Sequence, residues 1–201
     1  VADDADAWRT AGFAVDAAGT CRIGTVSVRL VGGGDRRGIA GWTLDGIEDA
    51  ADPVDGVPTS LGTYDAGRGG AHSNGVKLID HVVMTTPDPE RTIAALESRG
   101  AVHRRTRLPD NYDQPMRQDF FRLGEVVLEL IGPRVPDPER TARPARLYGL
   151  AHTVADLDAT AATLGPLLTA PKDAVQPGRR IATLRTRDLG MSVPTAFLSR
   201  G

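Results

Sequence analysis

The sequence writes one strand-and-helix phrase twice. Ile79-Asp80-His81-Val82-Val83 leads into Asp88-Pro89-Glu90-Arg91-Thr92-Ile93-Ala94-Ala95-Leu96, and Leu150-Ala151-His152-Thr153-Val154 leads into Asp156-Leu157-Asp158-Ala159-Thr160-Ala161-Ala162-Thr163-Leu164. Each copy sets a histidine in an apolar run of strand length and then starts a helix on an aspartate, whose side chain accepts from the unpaired N–H groups of a first helical turn. Duplication constrains the fold more than composition does. Both copies must bury corresponding faces, and pseudo-symmetry can then bring two imidazoles to one centre.

Followed outward, each copy becomes a larger unit. In the middle segment residues 77–86 read as a strand, and Pro87 ends its ladder. Asp88 is an N-cap with Pro89 at the first helical position, Ile93, Ala94 and Leu96 form the apolar face, and Gly100 stops the helix. Strands near 101–107, 116–123 and 125–131 follow, separated by the polar loop 108–115 and a tight turn at Gly124, so the order is βαβββ. The last segment repeats it with a strand near 147–155, a helix from Asp156 to Leu164 stopped by Gly165-Pro166, and strands near 179–187 and 192–199. Its second strand, between Pro171 and Pro177, is expected to be short or irregular.

The first segment echoes the last: Arg22-Ile23-Gly24-Thr25-Val26-Ser27-Val28-Arg29 against Arg180-Ile181-Ala182-Thr183-Leu184-Arg185-Thr186-Arg187. A helix near 3–11 and strands near 13–17, 21–31 and 38–46, with Gly32-Gly33-Gly34 as a hairpin turn, give αβββ without an opening strand. The expected division is therefore an incomplete αβββ module at 1–48, a linker or lid at 49–75 rich in Gly, Pro, Asp and Ser, and complete βαβββ modules at 76–135 and 145–201.

Bulk properties exclude several classes. A chain of 201 residues buries a core of ordinary density without disulfides, and Cys21 is the only cysteine. The formal charge of −2 offers no global attraction for nucleic acid or an anionic membrane. Apolar runs fall well short of the ~20 residues a membrane helix needs. The acidic start has no signal-peptide pattern, so a cytoplasmic protein is expected. The Ala, Arg and Gly bias with little Lys is what a GC-rich bacterial genome produces.

Tandem βαβββ units, opening on Asp80-His81-Val82-Val83 and Asp88-Pro89-Glu90-Arg91, resemble the vicinal oxygen chelate superfamily of glyoxalase, bleomycin-resistance and extradiol-dioxygenase proteins. The resemblance is clear over about residues 77–201, faint over the first 47, and is closest to actinobacterial glyoxalase-like members. It implies an α+β fold in which the two modules form a half-open mixed β-barrel, and a metal held from the first and fourth strands of each module. Carried over, those positions are His81, Glu129 and His152, with Ala196 where a second carboxylate would stand.

Two imidazoles and one carboxylate suit an open site for Fe, Zn, Mn or Ni, with vacancies for a small oxygenated substrate that chelates through two oxygens. Glyoxalase-type isomerases place a proton-transfer base at the position of Ala196, and its absence argues against their usual reaction. Arg117, Gln118 and Asp119, with Arg185 and Arg187, can line the cleft, and Tyr112, Tyr148 and Trp42 can stack on a ligand. The assignment for substrate binding is Arg117, Arg185 and Tyr148. Asp80, His72 and His103 read as solvent-exposed.

The residues leave alternatives open. A histidine in an apolar strand is also an ordinary packed residue, and Glu129 can simply face solvent. The first reading is a metal-dependent lyase, isomerase or dioxygenase. The second is a non-catalytic protein of the same fold that sequesters a small molecule without metal, and the third a structural module with a vestigial cleft. A homodimer is favoured, because an incomplete module leaves an edge or cleft to pair.

Overall fold

The computed structural model describes residues 1–47, 53–63, 70–110 and 112–200. In chain order the elements are α1 (Ala5–Thr10), β1 (Thr20–Ile23), β2 (Val26–Arg29), β3 (Trp42–Leu44), β4 (Thr59–Leu61), β5 (Val76–Thr85), α2 (Pro89–Glu97), β6 (His103–Arg107), β7 (Met116–Leu123), β8 (Val126–Pro133), β9 (Arg146–Val154), α3 (Leu157–Leu164), β10 (Lys172–Asp173), β11 (Arg180–Thr183) and β12 (Thr195–Leu198). Short 3-10 turns occupy Gly165–Leu167 and Thr186–Leu189. The architecture is α+β, with parallel and antiparallel pairings in the same ladders.

The chain divides into two compact units, one of Val1–Gly38, Asp65–Asp80 and Gly149–Gly201, the other of Ile39–Tyr64 and His81–Tyr148. The second unit carries the ladder β5-β8-β7-β6. β5 runs parallel to β8, and β7 is antiparallel to both β8 and β6. Its helix α2 starts as expected: the Asp88 carboxylate accepts from the Arg91 backbone N–H at 3.2 Å, and Pro89 opens the first turn. Ile93 and Leu96 then bury against Met84, Phe121, Leu128 and Leu130, which alternate with less buried residues along their strands. Gly124, at φ +60, makes the tight turn that joins β7 to β8.

Asp55 clamps this unit together. Its carboxylate accepts from Arg91 Nε at 2.6 Å and from Thr92 Oγ1 at 2.5 Å, while Arg91 Nη2 donates to the Arg143 carbonyl at 2.8 Å and Nη1 to that of Thr141. Of the expected connection at 49–75, residues 49–52 and 64–69 lie outside the described residues. The described part is partly ordered into structure: Val54 bridges Val57, and β4 pairs with β3 in parallel.

In the first unit β9 runs parallel to β12, which continues antiparallel through β11 to β10. The Asp156 carboxylate accepts from the backbone N–H groups of Asp158 and Ala159, at 2.9 and 3.0 Å, and starts α3. The second strand of this repeat is only Lys172–Asp173, the short edge expected between two prolines. Strand β11 ends early, because residues 186–189 coil into a 3-10 turn where a strand to 187 was expected.

Residues 21–31 depart further from expectation. They form a hairpin, β1 pairing with β2 from Thr20↔Arg29 to Ile23↔Val26, so the turn lies at Gly24 and not at the triple glycine. Gly24 sits at φ +58, and a Cβ there would meet the Leu78 Cβ at 3.2 Å, so both the backbone and the space select glycine. No strand forms at 13–17. The echo between 22–29 and 180–187 is therefore structural only at its first two positions, since Gly24 and Thr25 turn where Ala182 and Thr183 continue β11.

Two residues expected in solvent are built into this unit. Asp80 accepts from Arg179 Nη2 at 2.7 Å and from Thr153 Oγ1 at 3.0 Å. His72 Nδ1 accepts from the Ala14 N–H at 2.9 Å, so its proton is on Nε2, which lies 3.0 Å from the Arg22 carbonyl. Burial pushes the His72 pKa below its ordinary value, aided by the charge of Lys77 and opposed by the bond to the Arg22 carbonyl. The unfolded chain then takes up this proton first as pH falls. His72 supports folding fully above about pH 6.5 and loses that contribution as pH drops through its native pKa. In urea unfolding, His72→Gln, which can still accept from Ala14 and donate to Arg22, is expected to flatten the decline in stability between about pH 7 and 5. A variant with the wild-type slope would refute the assignment.

The Cys21 thiol is buried and pushed up to about 12, so it is inert to ordinary thiolate chemistry. Among the described residues no helix is long and apolar enough to cross a membrane.

Candidate functional site

The register of the second unit sorts its side chains into two faces. Cross-strand partners share a face, which gives three rows on one side: His81, Val127 and Arg122; Val83, Glu129, Phe120 and Arg105; Thr85, Ile131, Gln118 and Arg107. The other side carries Val82, Met84, Leu128, Leu130 and Phe121 against α2. The alternation that buries the leucines on either side of Glu129 thus turns Glu129 onto the polar face.

Two expected ligands meet there. His81 Nε2 lies 3.4 Å from Glu129 Oε2, with the two side chains 23 and 14 % exposed. Arg105 stacks over the Phe120 ring at 4.6 Å, and Arg146 Nε donates to Thr85 Oγ1 at 3.2 Å while its guanidinium lies 6.0 Å from the Tyr148 ring. Tyr148 is exposed beside it. Gln118 Nε2 donates to the Tyr112 hydroxyl at 3.2 Å. Among the described residues the face therefore combines four guanidinium groups, one carboxylate, one imidazole and three aromatic rings.

Arg117 stands elsewhere. It pairs with Gly132 in register and points to the helix side, where Nε and Nη2 donate to the two oxygens of Asp119 at 2.8 and 2.9 Å and Nη1 donates to Glu90 at 2.5 Å. The bond to Asp119 raises the Arg117 pKa further above its usual range. Asp119, fully buried, also accepts from Thr106 Oγ1 at 2.6 Å and lies 3.2 Å from His103 Nε2, so His103 is not a free surface residue. The cations of the polar face are instead Arg105, Arg107, Arg122 and Arg146. Three of them sit two residues apart on β6 or across from it on β7, a placement visible only once the bulge between His103 and Arg105 sets the register.

His152, in the first unit, is enclosed. Its exposure is 0 %, with the Phe13 ring at 5.2 Å and the Phe197 ring at 5.9 Å, and Trp8 lies 4.8 Å beyond Phe13. Arg185, also in this unit, is exposed beside a shallow depression with Arg187 and Asp188. The register also moves the missing carboxylate. His81 pairs with Val127 and Glu129 stands two residues on; His152 pairs with Phe197, so the equivalent position is Ser199, whereas Ala196 pairs with Ala151 on the other face. Ser199 Oγ accepts from the Arg180 N–H at 2.9 Å and is no acid.

His81 and Glu129 meet within the second unit and His152 lies beside the Phe13 and Phe197 rings within the first; among the described residues no group of three or more His, Cys, Asp or Glu side chains is placed to hold an ion.

Fold and modules together define a protein of the vicinal oxygen chelate type. Residues 80–182, just over half of the chain, match the family described as glyoxalase/bleomycin resistance protein/dioxygenase superfamily, and the chain belongs to it. Two solved structures with TM-scores above 0.5 agree at the level of fold. A mutant of 4-hydroxymandelate synthase from Streptomyces coelicolor is 15% identical with a TM-score of 0.61, over 90% of this chain and 79% of that one. A halotolerant catechol dioxygenase is 15% identical with a TM-score of 0.57, over 98 and 83%. Methylmalonyl-CoA epimerase from Mycobacterium tuberculosis is 20% identical with a TM-score of 0.49, over 63 and 90%. No curated protein matches the chain in sequence.

Proposed function

We propose that this protein binds a small anionic arene on the polar sheet face of its second unit and does so without a metal ion, as a sequestering member of the superfamily. The contrast between its two repeat histidines carries the reading: His81 sits half-open beside Glu129, while His152 is closed in by Phe13 and Phe197. Ligand character follows from the face. Arg105, Arg107, Arg122 and Arg146 exceed the single negative charge of Glu129, which favours a carboxylate or other anion. Arg105 and Arg146 lie over the Phe120 and Tyr148 rings, and a guanidinium plane held in this way offers a surface on which a ligand ring can stack.

Isothermal titration with a panel of aryl carboxylates tests this. Binding is expected to survive EDTA and to weaken roughly tenfold in Arg105→Ala, the loss of about one charge-assisted hydrogen bond. Binding that disappears with EDTA, or a panel that never binds, would refute it.

The 3.4 Å approach of His81 to Glu129 favours one other reading, a metal-dependent enzyme in which these two side chains and His152 hold Fe, Zn, Mn or Ni. Metal analysis separates the two. After incubation with each ion, untagged wild type and the His81→Ala, His152→Ala double variant are expected to retain equal, negligible metal; retention by wild type alone would replace the first reading with the second.

A further inference from the structure

We infer that Gln118, covered by Tyr112, reads an N–H or O–H group on the ligand of the polar face and selects arenes that carry one. This rests on the ligand-binding reading above.

Gln118 is 7 % exposed, in the row of Thr85, Ile131 and Arg107 and next on its strand to the row of Phe120 and Glu129. Its Nε2 donates to the Tyr112 hydroxyl at 3.2 Å, but its Oε1 is buried and makes no hydrogen bond among the described residues. Turning the carboxamide over does not remove the difficulty. Oε1 would then accept from the Tyr112 hydroxyl and Nε2 would be the end left over. Either way a buried amide keeps one unsatisfied end, which costs folding free energy that a leucine of similar size would not.

The neighbours say what could satisfy it. Along β7, Phe120 stands two residues away, about 7 Å on the same face, and bears the Arg105 guanidinium. A ring packed beside Phe120, with its anionic group met by the Arg105 guanidinium that covers Phe120, has the Gln118 row next along the strand. The cross-strand neighbours of Gln118, Ile131 and Arg107, carry no side-chain acceptor, so a donor on the ring edge finds its partner there in the Gln118 amide. Tyr112, 41 % exposed, is the residue that covers the amide, and a ligand reaches Gln118 by displacing its ring. A single trapped water would satisfy the same orphan, and the experiment separates the two.

Titrations would use two matched pairs, indole-3-propionate against its 1-methyl derivative and 3-hydroxybenzoate against 3-methoxybenzoate. Wild type is expected to bind the N–H or O–H member of each pair roughly tenfold more tightly, as for one buried hydrogen bond. Gln118→Leu is expected to melt at or above the wild-type temperature and to bind both members of each pair equally, and Gln118→Met to behave the same way. If discrimination survives in both variants, Gln118 is a packing or water-binding residue and the inference fails while the ligand site stands. If neither member of either pair binds wild type at millimolar concentration, the ligand reading fails and this inference with it.

Discussion

Arg117→Met is expected to lower the unfolding free energy by about 3 kcal/mol in a urea titration, and to leave the affinity for an aryl carboxylate within about twofold of wild type. The size comes from what the change leaves behind. Asp119 is fully buried, and two of its hydrogen bonds come from the Arg117 guanidinium. Without them a carboxylate remains with Thr106 and the His103 imidazole as its nearest polar groups, and an uncompensated buried charge is far more costly than the net worth of the pair. Glu90 matters less, since it is exposed and the bond it forms is screened by water. A stabilising companion change tests the cause: Arg117→Met combined with Asp119→Leu is expected to recover much of the loss, because the buried charge goes with its partner. A single variant that kept its stability and lost ligand affinity would return Arg117 to the binding face.

Arg117 also shows where legibility in the sequence ends. The repeat specified both strand-helix units, and the Asp88 and Asp156 caps lie where the pattern places them, because capping and periodicity are local. That Glu129 turns away from its flanking leucines was legible in the strand alternation, whereas its place beside His81 was implied only by the family resemblance and depends on the parallel pairing of β5 with β8. Faces on β6 and β7 were not legible. Arg117 and Gln118 are adjacent in sequence and opposite in space, and which of them faces Glu129 depends on a register that only the pairing Gln118↔Ile131 settles. The same limit put Ala196 in place of Ser199, a slip of three residues in an alignment without a fixed turn between the strands. The environment of His152 was hidden for another reason: Phe13, which covers it, and Trp8, which backs Phe13, are remote in the chain, and no local pattern announces a packing partner so distant.

That remote packing leads to the second large effect, an expected loss of about 4 kcal/mol in Trp8→Ala. Trp8 is fully buried and is the only buried residue of α1, a helix of six residues with no side-chain cap. So short a helix does not hold itself, and its place in the unit depends on the ring. Removing the indole leaves a cavity beside Phe13 and takes the Nε1 donor, at 3.1 Å, from the Asp3 carboxylate. Asp3 would keep the Ser192 backbone N–H at 2.7 Å and the Ser192 hydroxyl at 2.5 Å, so the carboxylate stays partnered and most of the cost is cavity and lost packing. Trp8→Phe separates these parts and is expected to cost about 1–2 kcal/mol, the indole donor and some volume. Phe13 should loosen with Trp8, and the consequence reaches the repeat: His152 in Trp8→Ala is expected to react with diethyl pyrocarbonate several times faster than in wild type, read by mass spectrometry at that residue. Unfolding within about 1 kcal/mol of wild type, or unchanged His152 reactivity, would mean that residues 1–13 do not form the wall that closes off this histidine.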